Sequence, residues 1–275
     1  MDEDITRLKK GDLIRRIKEL PSLLVAFSGG VDSTFLLAMA HQTLGDNVLA
    51  ATASSEIFPS HELEDAEIFV QERSIRHIVF ESDETSIPEF LSNPPDRCYH
   101  CKKALSTELI RIAGENGISH IAHAANTDDL GDYRPGMKAA DEMGLIAPLL
   151  EAGLEKEEIR FLSREMGLPT WDKPSMACLA SRIPYHTPIT KEHLKMVGEA
   201  EQFLKESGFK QFRVRHHGAV ARIEVESGEI ERVFKEGIRK NLLERFRDIG
   251  FDHVAVDLEG YISGSMNRVL GKDKV

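Results

Sequence analysis

Leu23-Leu24-Val25-Ala26-Phe27-Ser28-Gly29-Gly30-Val31-Asp32-Ser33 is the stretch on which the fold turns. Five consecutive apolar residues follow Pro21 and stop at a serine, which reads as a short strand buried on both faces. From Val31 to Leu44 the apolar residues recur at helical spacing, so the string is strand, tight turn, helix. The two glycines let successive backbone N–H groups point into one concavity, and the helix adds its positive end, which together make an anion site. Ser28 and Ser33 add hydroxyl donors. Asp32 beside a phosphate calls for a bridging Mg²⁺. The Gly-Lys-Ser/Thr of a Walker A loop is absent, and Ser-Gly-Gly alone is equally an ordinary strand-to-helix turn.

Working outward, residues 5 to 20 form an amphipathic lead-in helix. Val48 to Thr52, Ile78 to Phe80 and His120 to Ala125 read as further strands, separated by helical patterns at Ser60 to Arg73 and Tyr99 to Asn116. This alternation predicts an α/β fold with a parallel, doubly wound sheet. A helix over Glu155 to Met166 closes on Gly167 and Pro169, and Trp171 to Pro188 is loop-like with three prolines. The domain junction is placed there, giving domains 1–188 and 189–275. The second is a small α+β unit: helix Lys191 to Ser207, strand Gln211 to Arg215, turn at Gly218, strand Val220 to Val225, helix Ile230 to Ile249, strand His253 to Leu258. Trp171 and the phenylalanines read as core, and His216-His217 as surface or substrate-adjacent.

The 275 residues carry a formal charge of −11, unevenly spread. Residues 1 to 189 hold 19 basic against 31 acidic side chains, and the remainder 16 against 15. An acidic body disfavours nucleic acid, whose non-specific affinity rests on Lys and Arg neutralising phosphates. No stretch approaches the roughly 18 apolar residues of a spanning helix, and the first 20 residues lack a signal-peptide core, so a soluble cytoplasmic protein is expected. Three cysteines, Cys98, Cys101 and Cys178, are too few for a secreted disulfide scaffold.

The string SGGVDS resembles the signature of the PP-loop ATP pyrophosphatases, which cleave ATP between the α and β phosphates and activate a substrate as its adenylate. That resemblance spans residues 22 to about 170 and implies that Ser28, Gly29, Gly30, Asp32 and Ser33 hold pyrophosphate, with Ala26 and Phe27 near the nucleotide. Three further strings narrow it: Ala125-Asn126-Thr127-Asp128-Asp129-Leu130-Gly131-Asp132-Tyr133-Arg134-Pro135-Gly136, Ser181-Arg182-Ile183-Pro184-Tyr185, and Phe212-Arg213-Val214-Arg215-His216-His217. Together they resemble the LarE family, sulfur transferases of nickel-pincer nucleotide biosynthesis. The resemblance implies adenylation of a carboxylate of a pyridinium dicarboxylate mononucleotide, then replacement of AMP by sulfur. It also implies Asn126 and Arg182 beside the nucleotide and Arg134, Ser181, Arg213 and Arg215 on the substrate. Alternate strand residues share a face, so Arg213 and Arg215 make a two-pronged anion clamp. The C-terminal domain is expected to supply this clamp and the contacts of a homo-oligomer.

The cysteines depart from the best-known family pattern, in which a single cysteine gives up its own sulfur. Cys-x-x-Cys with one distant cysteine can ligate three irons of a [4Fe–4S] cluster, with Cys178 near the sacrificial position. A zinc site completed by His100 or His186, a redox pair, and inert thiols are the alternatives. Two rival functions stand beside sulfur transfer to a small nucleotide: a PP-loop tRNA thiolase, and an ATP-binding protein without turnover.

Overall fold

The computed structural model describes residues 1–131 and 133–270. The chain divides into two compact units, Met1–Ser55 with Ser60–Glu84 and Asp96–Met176, and Glu56–Pro59 with Thr85–Pro95 and Ala177–Val275. The first unit runs α1 (Glu3–Lys18), β1 (Leu23–Ala26), α2 (Val31–Leu44), β2 (Val48–Ser54), α3 (Ser60–Glu72) and β3 (Arg76–Glu81). After α4 (Pro88–Leu91), which lies in the second unit, come α5 (Arg97–Glu115), β4 (His120–Ala122), α6 (Pro135–Glu142), α7 (Pro148–Glu151) and α8 (Lys156–Glu165).

The sheet has the order β3-β2-β1-β4 and every pair is parallel, with Leu23 opposite Val48 on one side and His120 on the other. Period-two alternation sorts β1 and β2 into two cores. Leu23, Val25, Val48 and Ala50 pack with Phe35, Leu37, Phe69 and Leu162, whereas Leu24, Leu49 and Ala51 pack with Leu109, Ile112 and Ala140. Helices therefore cover both faces, the doubly wound arrangement expected from the alternation. Crossing from β3 to β4 puts the chain on the opposite side of β1, so the strand order switches between β1 and β4, where such sheets hold ligands.

The strand read from His120 to Ala125 ends at Ala122 because His123 N donates to Ile146 O at 3.0 Å and leaves the β1 ladder. Trp171 and Phe234, read as core, are exposed; the Trp171 ring instead carries the Arg164 guanidinium 5.1 Å from its centroid.

The second unit contains α9 (Lys191–Glu206), β5 (Phe212–His217), β6 (Val220–Val225), α10 (Ile230–Val233), α11 (Glu236–Ile249) and β7 (His253–Val256). Its sheet is β5-β6-β7, antiparallel through the Gly218 turn and then parallel. Val214, Ala221, Ile223 and Val225 pack on Leu204, Phe246 and Phe251. The single helix expected over Ile230 to Ile249 is interrupted at Phe234 and Lys235, where Lys235 is extended and caps α11. Residues 177–188 are held within this unit by its two short excursions. Leu179 N donates to Ile57 O (2.8 Å), the Asn93 amide to the carbonyls of Pro184 and Thr187 (both 2.8 Å), and His186 N to Asn93 O (2.9 Å).

In the first unit Glu158 ties α8 to α1. Its carboxylate accepts from Lys9 Nζ at 2.7 Å, Thr6 Oγ1 at 3.2 Å and the backbone N–H of Glu155 at 2.9 Å. Glu158→Ala removes the acceptor of the Lys9 ammonium and of the Glu155 N–H, Thr6 Oγ1 keeping Asp2 O at 2.8 Å, and is expected to lower stability by about 2 kcal/mol, seen as a lower urea midpoint at unchanged slope.

Candidate functional site

The loop after β1 is built by three local constraints. Phe27 N still donates to Ala51 O (2.8 Å), and Thr52 Oγ1 donates to Phe27 O (2.8 Å), so the strand is pinned to its last residue. The Phe27 ring turns into the core against Phe69, 5.7 Å between centroids, leaving its backbone to face the loop. Gly29 then adopts φ +69°, and a Cβ there would stand 3.3 Å from Ala66 Cβ on α3. Only glycine takes this conformation cheaply while packed so close to another helix. Ser28 Oγ and Ser33 Oγ lie 3.0 Å apart, and Ser33 Oγ donates to Gly30 O at 3.2 Å. Gly30 caps α2 without a side-chain partner for the helix's first N–H groups, the arrangement that favours an anion.

Asp32, in the first turn of α2, sits in a polar cluster drawn from three elements. Its carboxylate pairs with Lys156 Nζ and accepts from Asn126 Nδ2 at 3.3 Å. Asn126 follows β4 and is itself fixed: its N–H donates to Asp129 Oδ2 (3.0 Å), and its Oδ1 accepts from Asp128 N (3.0 Å). Asp128 Oδ2 in turn accepts from Lys156 N at 3.2 Å, locking the start of α8 to this loop. Arg134 pairs with Asp129 at 2.9 Å; Asp132 lies outside the described residues. Ala26, Phe27, Ser28, Gly29, Gly30, Asp32, Ser33 and Asn126 thus stand together at the switch point.

Two lysines that the sequence reading did not single out for the site complete it. Lys156 is one. Lys173 is the other: its ammonium donates to Gly29 O (3.2 Å) and pairs with Glu62 (2.9 Å) and Asp65 (3.0 Å) on α3. Burial opposes the charge on Glu62, but His61 and Lys173 outweigh it and hold its carboxyl below the usual range. Lys156 carried a signal, since it opens a helix in the string matching the PP-loop group; Lys173, in the proline-bearing loop, carried none.

Cys98 and Cys101 are the second and fifth residues of α5, three apart and hence on one helix face, Cys98 exposed and Cys101 part-buried. α6 packs close beside them, for a Cβ at Gly136 would approach Cys98 O to 3.3 Å. Burial pushes the next residue, Lys102, down in pKa, with Cys101 opposing. Burial, assisted by the charge of Lys102, brings His123 at the end of β4 from 6.5 to about 4. A histidine kept neutral in the fold but protonated when unfolded leaves stability intact above pH 6.5 and costs it as pH falls toward 4, by up to about 3 kcal/mol. His123→Asn is expected to flatten that acid limb in urea titrations run between pH 4 and 7.

In the second unit, Cys178 precedes the turn Leu179–Arg182, and Arg182 is fully buried, its guanidinium paired with Glu201 at 2.8 Å. Arg215 pairs with Glu224 (2.7 Å) and donates to Ser181 O (3.1 Å). Arg213 lies over the Tyr261 ring, 4.9 Å from its centroid, and burial together with the Arg182 charge lowers it to about 10. His216, expected at the surface or beside substrate, is buried and stacked on His193 with centroids 4.2 Å apart, because it falls on the core-facing side against Phe251. Among the described residues no group of three or more His, Cys, Asp or Glu is gathered as a metal site. No described helix is long and apolar enough to cross a membrane.

The chain is 43% identical over 254 residues to the uncharacterized protein slr1717 of Synechocystis, covering 92% of this chain and 95% of that one. It is 38% identical over 267 residues to the pyridinium-3,5-bisthiocarboxylic acid mononucleotide synthase of Lactiplantibacillus plantarum, covering 96% of this chain and 95% of the synthase. A more distant likeness, 26% identity over 191 residues, joins it to the tRNA-specific 2-thiouridylase MnmA of Rickettsia felis, over 56% of this chain and 52% of that protein. No family model matches the chain.

Proposed function

The chain belongs to the LarE family of ATP-dependent sulfur transferases, and from that premise we propose that it converts a carboxylate of a pyridinium dicarboxylate mononucleotide to a thiocarboxylate in nickel-pincer nucleotide biosynthesis. The observation that carries this reading is the loop of Ser28 to Ser33 with Asp32, Asn126 and Lys156 at the β1/β4 switch point, in a chain similar end to end to a thiocarboxylate-forming synthase. The thiolase likenesses, by contrast, stay at 25–26% identity and span 56–69% of the chain.

In this reading a substrate carboxylate oxygen attacks the α phosphorus of ATP, pyrophosphate departs, and sulfur then displaces AMP from the acyl carbon. The N–H groups of Gly29, Gly30 and Val31 and the hydroxyls of Ser28 and Ser33 hold the departing pyrophosphate. Lys156 and Lys173 supply positive charge where negative charge builds on it. Mg²⁺ would be held by Asp32, in the first turn of α2 just after the loop, and would neutralise phosphate charge. Arg213 and Arg215, alternate residues of β5, grip the substrate phosphate, and Arg134 and Ser181 act on the same substrate. The enzyme is read as a cytoplasmic homo-oligomer.

For the sulfur source we infer a [4Fe–4S] cluster on Cys98, Cys101 and Cys178, which would supply a sulfide without consuming the protein and which requires these three thiols, not gathered as a metal site among the described residues, to be brought together. The shared face of Cys98 and Cys101 at the positive end of α5 suits two thiolate ligands.

Two sets of variants test the reading. Asp32→Ala is expected to abolish substrate-dependent AMP and pyrophosphate release; unimpaired turnover removes the loop mechanism. Each of Cys98→Ser, Cys101→Ser and Cys178→Ser is expected to lower bound iron and sulfur transfer together in anaerobically purified protein. Loss confined to Cys178→Ser, with a spent protein lighter by H₂S, would show that Cys178 gives up its own sulfur.

A further inference from the structure

We propose that Arg182 is a positioning residue: it holds the backbone that presents Cys178, and it does so from a buried joint shared with the strand that carries Arg213 and Arg215. Its side chain has no exposed surface. Nε and one terminal nitrogen meet the two oxygens of Glu201, each at 2.8 Å. The other terminal nitrogen reaches Ala177 O (2.5 Å), Cys178 O (2.9 Å) and Ser181 Oγ (2.8 Å). All three nitrogens are engaged inside the protein, so the fork is spent on fixing a turn.

That turn is held from several sides. Cys178 is extended (φ −57°, ψ 151°), and its carbonyl accepts from Ser181 N (3.0 Å) and Ser181 Oγ (2.8 Å) as well as from Arg182. Leu179 N is tied to Ile57 O, and Ser181 O accepts from Arg215. The Cys178 backbone is thereby fixed while the residue stays part-exposed. Glu201 also accepts from Val214 N at 3.0 Å, midway between Arg213 and Arg215. One carboxylate on α9 thus holds Arg182 and, through Val214 N, the strand that carries Arg213 and Arg215.

Energetics favour a geometric role. Removing two charges from water is costly, and a well-packed apolar pair in the same place is often as stable or more so. What an apolar pair cannot do is chelate two successive carbonyls while pairing bidentately with a carboxylate. Lysine keeps the charge but lacks the planar fork, which makes Arg182→Lys the discriminating change.

The positioning claim stands on geometry alone; only its catalytic arm rests on the sulfur-transfer reading. The test compares wild type and Arg182→Lys as full-length protein. It follows iodoacetamide alkylation of Cys178, resolved by peptide mass spectrometry against Cys98, alongside the KM for ATP and the rate of sulfur transfer. The expected result is Cys178 alkylated at least fivefold faster, Cys98 unchanged, sulfur transfer down at least tenfold, and the KM for ATP within twofold. A raised KM for ATP with unchanged Cys178 alkylation would overturn the proposal and make Arg182 a nucleotide contact. Should Arg182→Lys not fold, Ser181→Ala removes one hydroxyl from the same joint and leaves the ion pair. A rise of about twofold or more in Cys178 alkylation is then expected, and no rise overturns the proposal. Wild-type protein without sulfur transfer but with these alkylation shifts would refute the functional reading and leave the positioning role standing.

Discussion

The first unit depends on β1, four residues hydrogen-bonded along both edges and buried on both faces. A strand so placed has no freedom of register: a one-residue slip would exchange Leu23 and Val25 with Leu24 and Ala26 between two cores of different shape. Because the strand cannot shift, the loop that follows it cannot shift either. Gly29 is forced against α3, α2 begins at Val31, and Asp32 is delivered to Asn126 and Lys156 from opposite sides of the switch point. Rigidity in the sheet thus becomes precision in the loop that follows it, the usual way a scaffold positions chemistry on a connection.

The same buried strand is why the N-terminal fold could be read from the sequence. Its continuous apolar run, and the helical spacing from Val31 to Leu44, depend only on neighbours in the chain, and α2 spans those residues. The loop residues from Ser28 to Ser33 were legible because glycine and serine types there have a local cause. Long-range partners were not legible. Nothing near Lys173 announces that its ammonium reaches Gly29 O, and nothing in Glu201 announces Arg182, since both contacts are made by tertiary packing. Exposure misled in the same way. Trp171 and Phe234 look like core by type, yet their loops face outward, while His216 looks polar and is buried because its strand position faces Phe251.

Electrostatically the two units solve opposite problems. The acidic first unit brings Lys156 and Lys173 to the loop by pairing them with Asp32, Glu62 and Asp65, so positive charge is held in place there. In the second unit Arg182, Arg215 and Arg222 pair with Glu201 and Glu224, and Arg213 beside them is lowered first by its burial and then by the Arg182 charge.

The division of the chain has a consequence for how the molecule is made. Residues 56–59 and 85–95 emerge from a ribosome long before 177–275, yet Ile57 and Asn93 hydrogen-bond to Leu179, Pro184, His186 and Thr187 in that last segment. Until it is synthesised, Ile57 and Asn93 wait in a nascent chain whose surrounding α/β sheet already has its strands. The second unit therefore cannot assemble as an autonomous vectorial domain; a fragment beginning at Ala177 would lack two of its own pieces. Interrupted translation would yield a sheet with two unsatisfied loops, a natural substrate for chaperones.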